Sequence, residues 1–442
     1  MNSNIRQPSQ SKLRRVVVLA CIGGALALGA VASAASRPEV SFSGAKTYAV
    51  DGVSSIALGD VNGDGSPDVA TASYAGGNVS VLLNKGDGSF EAKRVYATGL
   101  APVSIALGDL NGDGKADVVT ANLWDDTISV LLAKADGTLE AKQDYETAFG
   151  PMNVAIGDLD GDGKPDLAVA DDQADTASVL RNRGDGSFEA RQDYETGAGP
   201  DAVAIGDVNG DGRPDLVTAN GAAGDVSVLL NRGGGTFDRI DGPEIAGGFP
   251  SLAVGDVNGD GRPDLAVASG GEPLSLLFNR GDGRFGSRRD HRVYPDTVAI
   301  GDLNGDGRLD LVADGFLGPA ALLNRGGGSF GERIEYPESG SVALGDLNED
   351  GKLDMATTDV YAGKVSIRLN APGLCNVQQA VDLTLAGAKK ALARGGCRVG
   401  KIRRVNSAWV KEGVVISQRP KFGAVLPEGG NVKLVVSKGK RK

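Results

Sequence analysis

Short apolar runs alternate with glycine-rich acidic turns along most of this chain, and no stretch between residues 40 and 370 keeps a helical period. One unit shows the grammar. Residues 104–107 (SIAL) lead into an acidic loop, 117–122 (DVVTAN) follow it, and after a variable loop comes the alternating run 128–132 (ISVLL). A Gly-Asp-Gly type turn then opens a fourth run that ends near an aromatic, as in 188–194 (FEARQDY). Four short strands with turn chemistry between them predict one antiparallel sheet.

The unit recurs. Acidic loops start at Asp60, Asp109, Asp158, Asp207, Asp256, Asp302 and Asp346, at intervals of 49, 49, 49, 49, 46 and 44 residues. Periods of this size belong to propeller blades and stacked arrays. The seventh unit stops after 365–370 (VSIRLN) without a fourth strand, while 40–50 (VSFSGAKTYAV) follows no unit and reads like a fourth strand, such as 89–97 (SFEAKRVYA). That segment is expected to complete the last blade and close a ring, which removes free sheet edges. The expected fold class is all-β, a seven-bladed β-propeller of four-stranded blades, followed by a small α+β domain. An open β-solenoid is the alternative.

Each loop reads Asp-x-Asn-x-Asp-Gly-x-x-Asp, with Asp160 replacing Asn in the third. Positions 1, 3, 5 and 9 offer side-chain oxygens, position 7 its backbone carbonyl, and Gly at position 6 permits the sharp turn. The candidate ligands are Asp60, Asn62, Asp64, Ser66 and Asp68; Asp109, Asn111, Asp113, Lys115 and Asp117; Asp158, Asp160, Asp162, Lys164 and Asp166; and Asp207, Asn209, Asp211, Arg213 and Asp215. The last three loops add Asp256, Asn258, Asp260, Arg262 and Asp264; Asp302, Asn304, Asp306, Arg308 and Asp310; and Asp346, Asn348, Asp350, Lys352 and Asp354. Hard oxygen donors at this spacing match calcium, whereas magnesium demands octahedral geometry and keeps its waters. An EF-hand needs a glutamate at position 12, and these loops carry Thr71, Thr120, Val169, Thr218, Val267, Ala313 and Thr357 there. Good turn chemistry alone explains one or two acidic residues per loop. It does not explain three or four in all seven, where repulsion disfavours the fold. Up to seven structural calcium ions are expected.

These units resemble FG-GAP or VCBS-type repeats, the family that builds the integrin α-subunit propeller, over about residues 40–370. The resemblance implies adhesion or recognition of a partner, a protein or glycan that the sequence does not name, and such blades also occur in secreted enzymes. After residue 371 the grammar changes. Residues 384–394 (TLAGAKKALAR) place Leu385, Ala388 and Leu392 on one helix face, with Thr384 as N-cap and Gly395 as stop. Strand-like runs follow at 398–405, 413–418 and 432–437. The run TLAGAKKAL, then VGKI, VVISQRP and the closing VKLVVSKG resemble a PASTA domain, the wall-associated module of penicillin-binding proteins and bacterial Ser/Thr kinases. One departure is Val377-Gln378, where that family usually has Val-Pro. The resemblance implies binding near peptidoglycan.

The 442 residues carry a formal net charge of −11, uneven along the chain. Arg6, Lys12, Arg14 and Arg15 precede or begin an apolar run, 16–32, that ends in Ala32-Ser33-Ala34. This predicts a secretory signal over 1–34, with a lipoprotein box at Cys21 and an uncleaved membrane anchor as rivals. From Leu374 onward fifteen Lys and Arg face Asp382, Glu412 and Glu428, so this part carries +12. Without the signal the chain is at −15, which leaves −27 for the body between. The domains expected are 35–371 (propeller), 372–439 (PASTA-like) and a basic tail, 440–442. A +12 domain attracts anionic wall polymer, and export beside an acidic propeller argues against nucleic acid. The expected location is secreted, at or beyond the bacterial cell wall, with membrane contact only if the signal stays uncleaved. Cys375 and Cys397, alone after export, are expected to form a disulfide worth about 3 kcal/mol.

Loops opposite the acidic ones contain Tyr74, Trp124, Asp125, Asp171, Asp172, Phe316 and Tyr361. Aromatics beside carboxylates predict either a polar rim or a sugar site, and a carboxylate pair could hydrolyse a glycan. An extracellular carbohydrate-active enzyme is thus the alternative function. The single histidine, His291, falls on an expected outer strand, away from catalysis, and Trp409 is open to sugar stacking or to partial burial. No nucleophile motif, P-loop or zinc spacing is present, so no catalytic residue is assigned.

Overall fold

Seven four-stranded antiparallel sheets follow one another in a computed structural model that describes residues 40–315, 318–337, 340–371, 373–427 and 430–440. The expected signal segment lies outside the described residues. In the second blade the strands run Pro102–Gly108, Asp117–Asn122, Thr127–Leu131 and Gln143–Glu146, each paired with the next. The second strand is buried along its whole length, and the fourth is largely exposed. Blades stacked face to face bury both faces of their inner strands, so Val and Ala fill them instead of alternating with polar residues.

The ring closes as expected. Lys46–Ala49 pairs antiparallel with Lys364–Arg368, supplying the outer strand of the seventh blade. Val53, Ile56 and Leu82 of the first blade share a buried cluster with Ala343, Leu347 and Ile367 of the seventh. The glycine that precedes each acidic loop is where the next blade leans in. A Cβ on Gly108 would lie 3.1 Å from Ile156 of the third blade, and one on Gly345 would lie 2.9 Å from Leu58 of the first. The solenoid alternative has no place for this contact.

Except in the fourth blade, where the outer strand runs Thr236–Glu244, the outer strands begin later than the sequence pattern indicates. In the third blade Phe188 makes only an isolated bridge with Asn182, and the strand proper is Gln192–Glu195. Phe188 leaves the ladder to meet Tyr145 of the preceding blade edge-on, with ring centroids 5.4 Å apart. Tyr194–Phe237 and Tyr48–Phe90 repeat the pair across other seams, and His291 takes the tyrosine's place against Phe330. Each such pair adds about 1 kcal/mol beyond area burial. His291 is therefore a half-buried packing residue on the outer strand Arg289–His291, and its burial pushes its pKa down.

The C-terminal domain has one helix, Leu385–Arg394, capped by the Thr384 hydroxyl, which accepts from the Gly387 amide at 3.2 Å. Behind it lies a three-stranded sheet in the order Arg398–Val405, Asn431–Ser437, Val415–Arg419. The expected disulfide is present, joining Cys375 to Cys397 with 4.8 Å between Cα atoms. The domain is docked on the propeller rather than strung from it. Gln378, 1% exposed, accepts from the Glu335 amide at 2.9 Å and returns a bond to the Glu335 carbonyl at 3.2 Å. A proline at that position would remove both contacts. Asn376 adds a bond to the Ser41 hydroxyl at 2.7 Å.

Candidate metal centres and recognition surfaces

All seven acidic loops lie between the first and second strands, on one side of the ring, and are wound by the same hydrogen bonds. The position-1 carboxylate accepts the amide of the position-6 glycine at 2.7 to 3.0 Å in every loop. Positive φ is needed there, and Gly65 stands at +93°. Position 9 is different in kind. Its carboxylate is buried at the start of the second strand, where one oxygen accepts the position-2 amide at 2.9 to 3.2 Å. The other accepts an amide at the end of the third strand at 2.6 to 2.9 Å. Burial pushes the Asp68 carboxyl up to about 7, opposed by these two amides and aided by Asp64 and Asp60. Asp117, Asp166, Asp215, Asp264, Asp310 and Asp354 rise to about 6 for the same reasons.

Among the described residues the closest grouping of carboxylates is in the third loop. There, oxygens of Asp158, Asp160 and Asp166 all lie within 4.8 Å of one another. Each carboxylate oxygen that accepts an amide keeps a second lone pair, so an all-oxygen donor set around a hard cation fits these loops. Position 7 does more than the sequence reading allotted to it. Beyond its carbonyl, its side chain reaches the position-5 carboxylate, as in Lys115–Asp113 at 2.7 Å, Lys164–Asp162 at 2.8 Å, Arg308–Asp306 at 3.1 Å and Lys352–Asp350 at 3.2 Å. Arg213–Asp211 and the looser Arg262–Asp260 complete six loops. Repulsion among the carboxylates is thus partly offset within the chain, which corrects the expectation that it is uncompensated. Only the first loop lacks the cation: there Ser66 donates to Glu349 of the seventh loop at 2.6 Å.

One residue joins the loops into a circle, and the sequence reading missed it. The Asn84 side chain donates to Pro67 of its own loop and to Leu347 of the seventh blade's loop, both at 2.9 Å. Asn182, Asn231, Asn279, Asn324 and Asn370 do the same toward the preceding blade. Ala133 interrupts the series, and at that seam the Ala116 amide bonds to the Asp60 carbonyl instead, at 2.7 Å. Aligning the seven units would have displayed the recurring Asn.

On the opposite rim Tyr74 and Trp124 meet, with ring centroids 5.3 Å apart, and Trp124 stays 57% exposed. Leu100, Phe149, Tyr294 and Tyr361 are exposed beside other top loops. The first three of these were not among the expected rim residues, because nothing local separates an exposed apolar side chain from a buried one. Phe316 lies outside the described residues. The expected carboxylate group is not assembled: Asp125 accepts the Leu100 amide at 2.6 Å, while Asp171 is fully buried and bonded to the Ser178 hydroxyl at 2.6 Å. Burial pushes Asp171 up to about 7, with Ser178 pulling it down and Asp193 raising it further. Trp409 of the C-terminal domain is 96% exposed, so its partial burial is overturned.

A closed ring of four-stranded blades, each with a wound acidic loop, defines a repeat propeller. The chain belongs to the FG-GAP-like repeat family, whose description matches residues 60–120, 109–169, 158–218, 207–267 and 256–313, and residues 376–438 match the PASTA domain. Among solved structures the chain is similar to BBS1N in complex with ARL6DN, at 13% identity and a TM-score of 0.56, covering 75% of this chain and 98% of that one. It is also similar to the BP39L lectin from Burkholderia pseudomallei, at 16% identity and a TM-score of 0.52, covering 75% and 99%. At such identities the likeness is one of fold. No curated protein matches the chain. Repeats of this family joined to a PASTA domain mark a recognition protein associated with the cell envelope. No helix among the described residues is long and apolar enough to cross a membrane.

Proposed function

We propose that this is a secreted, calcium-stabilised propeller that recognises a ligand at the bacterial cell envelope, with its PASTA domain holding peptidoglycan or anionic wall polymer. The observation that carries the reading is the assembly of seven acidic loops, each wound by the same bond from the position-6 glycine to the position-1 carboxylate, on one side of a ring whose other side presents exposed aromatics. Asp, Asn and the position-7 carbonyl would hold the ion, which supplies positive charge and fixes the first hairpin of each blade. Affinity is expected on the order of 10⁻⁴–10⁻³ M, as in other extracellular modules. The rim around Trp124 and Tyr74 is suited to stacking against a sugar or to docking an apolar side chain. The likeness to a lectin supports the first, although it extends only to the fold.

Two measurements test this. Calorimetric titration of the chelated protein with calcium should show binding, and its melting temperature should rise by several degrees in millimolar calcium. An unchanged melt with no binding heat sinks the calcium reading. Incubation with purified cell wall should retain the protein at low salt and release it at high salt, while no retention at low salt rejects the wall-binding role.

A further inference from the structure

We propose that the groove between the sixth blade and the C-terminal helix binds the oxyanion of a carboxylate- or phosphate-bearing sugar. The groove, about 480 Å³, is bounded by Asn304 and Arg325 of the blade, by Glu332, and by Lys390 and Arg394 of the helix. That volume lies in the range of small-molecule sites. Lys390 and Arg394 are one helical turn apart, so they share a face, and both lean on the single carboxylate of Glu332, Arg394 at 2.9 Å.

The charges do not balance inside this space. Three cations meet one carboxylate, a local excess of two, within a propeller that is otherwise acidic. Arg325 has no carboxylate partner among the described residues, and the Nε of Arg394 is buried without a hydrogen-bond acceptor. A guanidinium presents its donors as a rigid fork that suits a carboxylate or phosphate, so the groove lacks one oxyanion to complete it. The apolar wall of Leu323, Ile334 and Ala393 faces the same space and suits the C–H face of a sugar ring. The groove exists only because the PASTA domain is docked: neither half alone holds the three cations. Its ligand's origin in the envelope rests on the proposed function, but binding itself does not.

The test is calorimetric titration of the full chain at low salt with glucuronate, N-acetylglucosamine 1-phosphate, neutral N-acetylglucosamine and inorganic phosphate. The two anionic sugars should bind and the neutral sugar should not. Arg325→Ala should weaken binding about tenfold or more. Glu332→Gln should strengthen it several-fold by freeing Lys390 and Arg394; a purely structural role for that carboxylate predicts no such gain. Arg325 is exposed, so an unchanged melting temperature will certify the fold of its variant. Absence of binding by both wild type and Glu332→Gln, or an unaltered affinity in Arg325→Ala, overturns the site. Inorganic phosphate binding as well as the sugar phosphate overturns the sugar assignment. Wall retention is read separately, so failure of the envelope role would leave these titrations intact.

Discussion

Asp171 carries an ionisable group where the neighbouring second and fourth blades carry an amide. Asn122 and Asn220 stand at the same place in the second and fourth blades, and there the side-chain amides donate to Ser129 and Ser227, both at 2.9 Å. In the third blade Oδ1 of Asp171 and Oγ1 of Thr176 both lack partners. Burial holds the folded carboxyl at about 7, above the ordinary aspartate range, so the native state binds the extra proton and its ionisation is a cost. That cost is absent below about pH 4, grows as pH rises through the window up to about 7, and is constant above it. Asp171→Asn is therefore expected to stabilise the protein by roughly 2–4 kcal/mol at pH 8 and by little at pH 4. Thermal melts of both proteins across that range check the sign; a gap that shrinks with rising pH refutes it. The position was legible as a rim carboxylate but not as a buried one, because strand direction decides which way it points.

At the level of the strands and loops, what repeats locally was readable and what reaches across a seam was not. The Asp-x-Asn-x-Asp-Gly-x-x-Asp spacing is a property of nine consecutive residues, and the position-1 carboxylate winds each loop onto its position-6 glycine. The Asn84 latch depends on a carbonyl 263 residues away, and the bend at Phe188 depends on Tyr145 of another blade. Neither partner is visible within its own unit. The broken latch offers a direct check: Ala133→Asn should bridge to the Val61 and Ala116 carbonyls and add about 1 kcal/mol, read as a higher melting temperature in chelator. Conversely Asn231→Ala should cost about 1–3 kcal/mol by leaving the Leu159 and Pro214 carbonyls without their donor. If the two substitutions leave the melt unmoved, the latch has no energetic weight.

The whole molecule combines an acidic ring with a basic domain held at one place on it. Sequence grammar separated the two, yet it read Val377-Gln378 only as a departure from a family pattern. Its reason is the neighbouring surface, since Gln378 pairs with the Glu335 backbone. Gln378→Pro should leave both domains folded but loosen their seam, seen as faster proteolysis around Ala371 and a larger radius in solution scattering. Equal proteolysis and radius would show that docking does not depend on this side chain. The closing strand has a consequence in time. A ribosome completes Lys46–Ala49 more than three hundred residues before Lys364–Arg368, its one sheet partner among the described residues. For most of its synthesis the newborn polypeptide must carry that strand unattached, with Ile56 and Leu82 of the first blade awaiting neighbours from the last. A chain released early is thus a candidate for chaperones and proteases, whereas the finished one hides the evidence of its beginning.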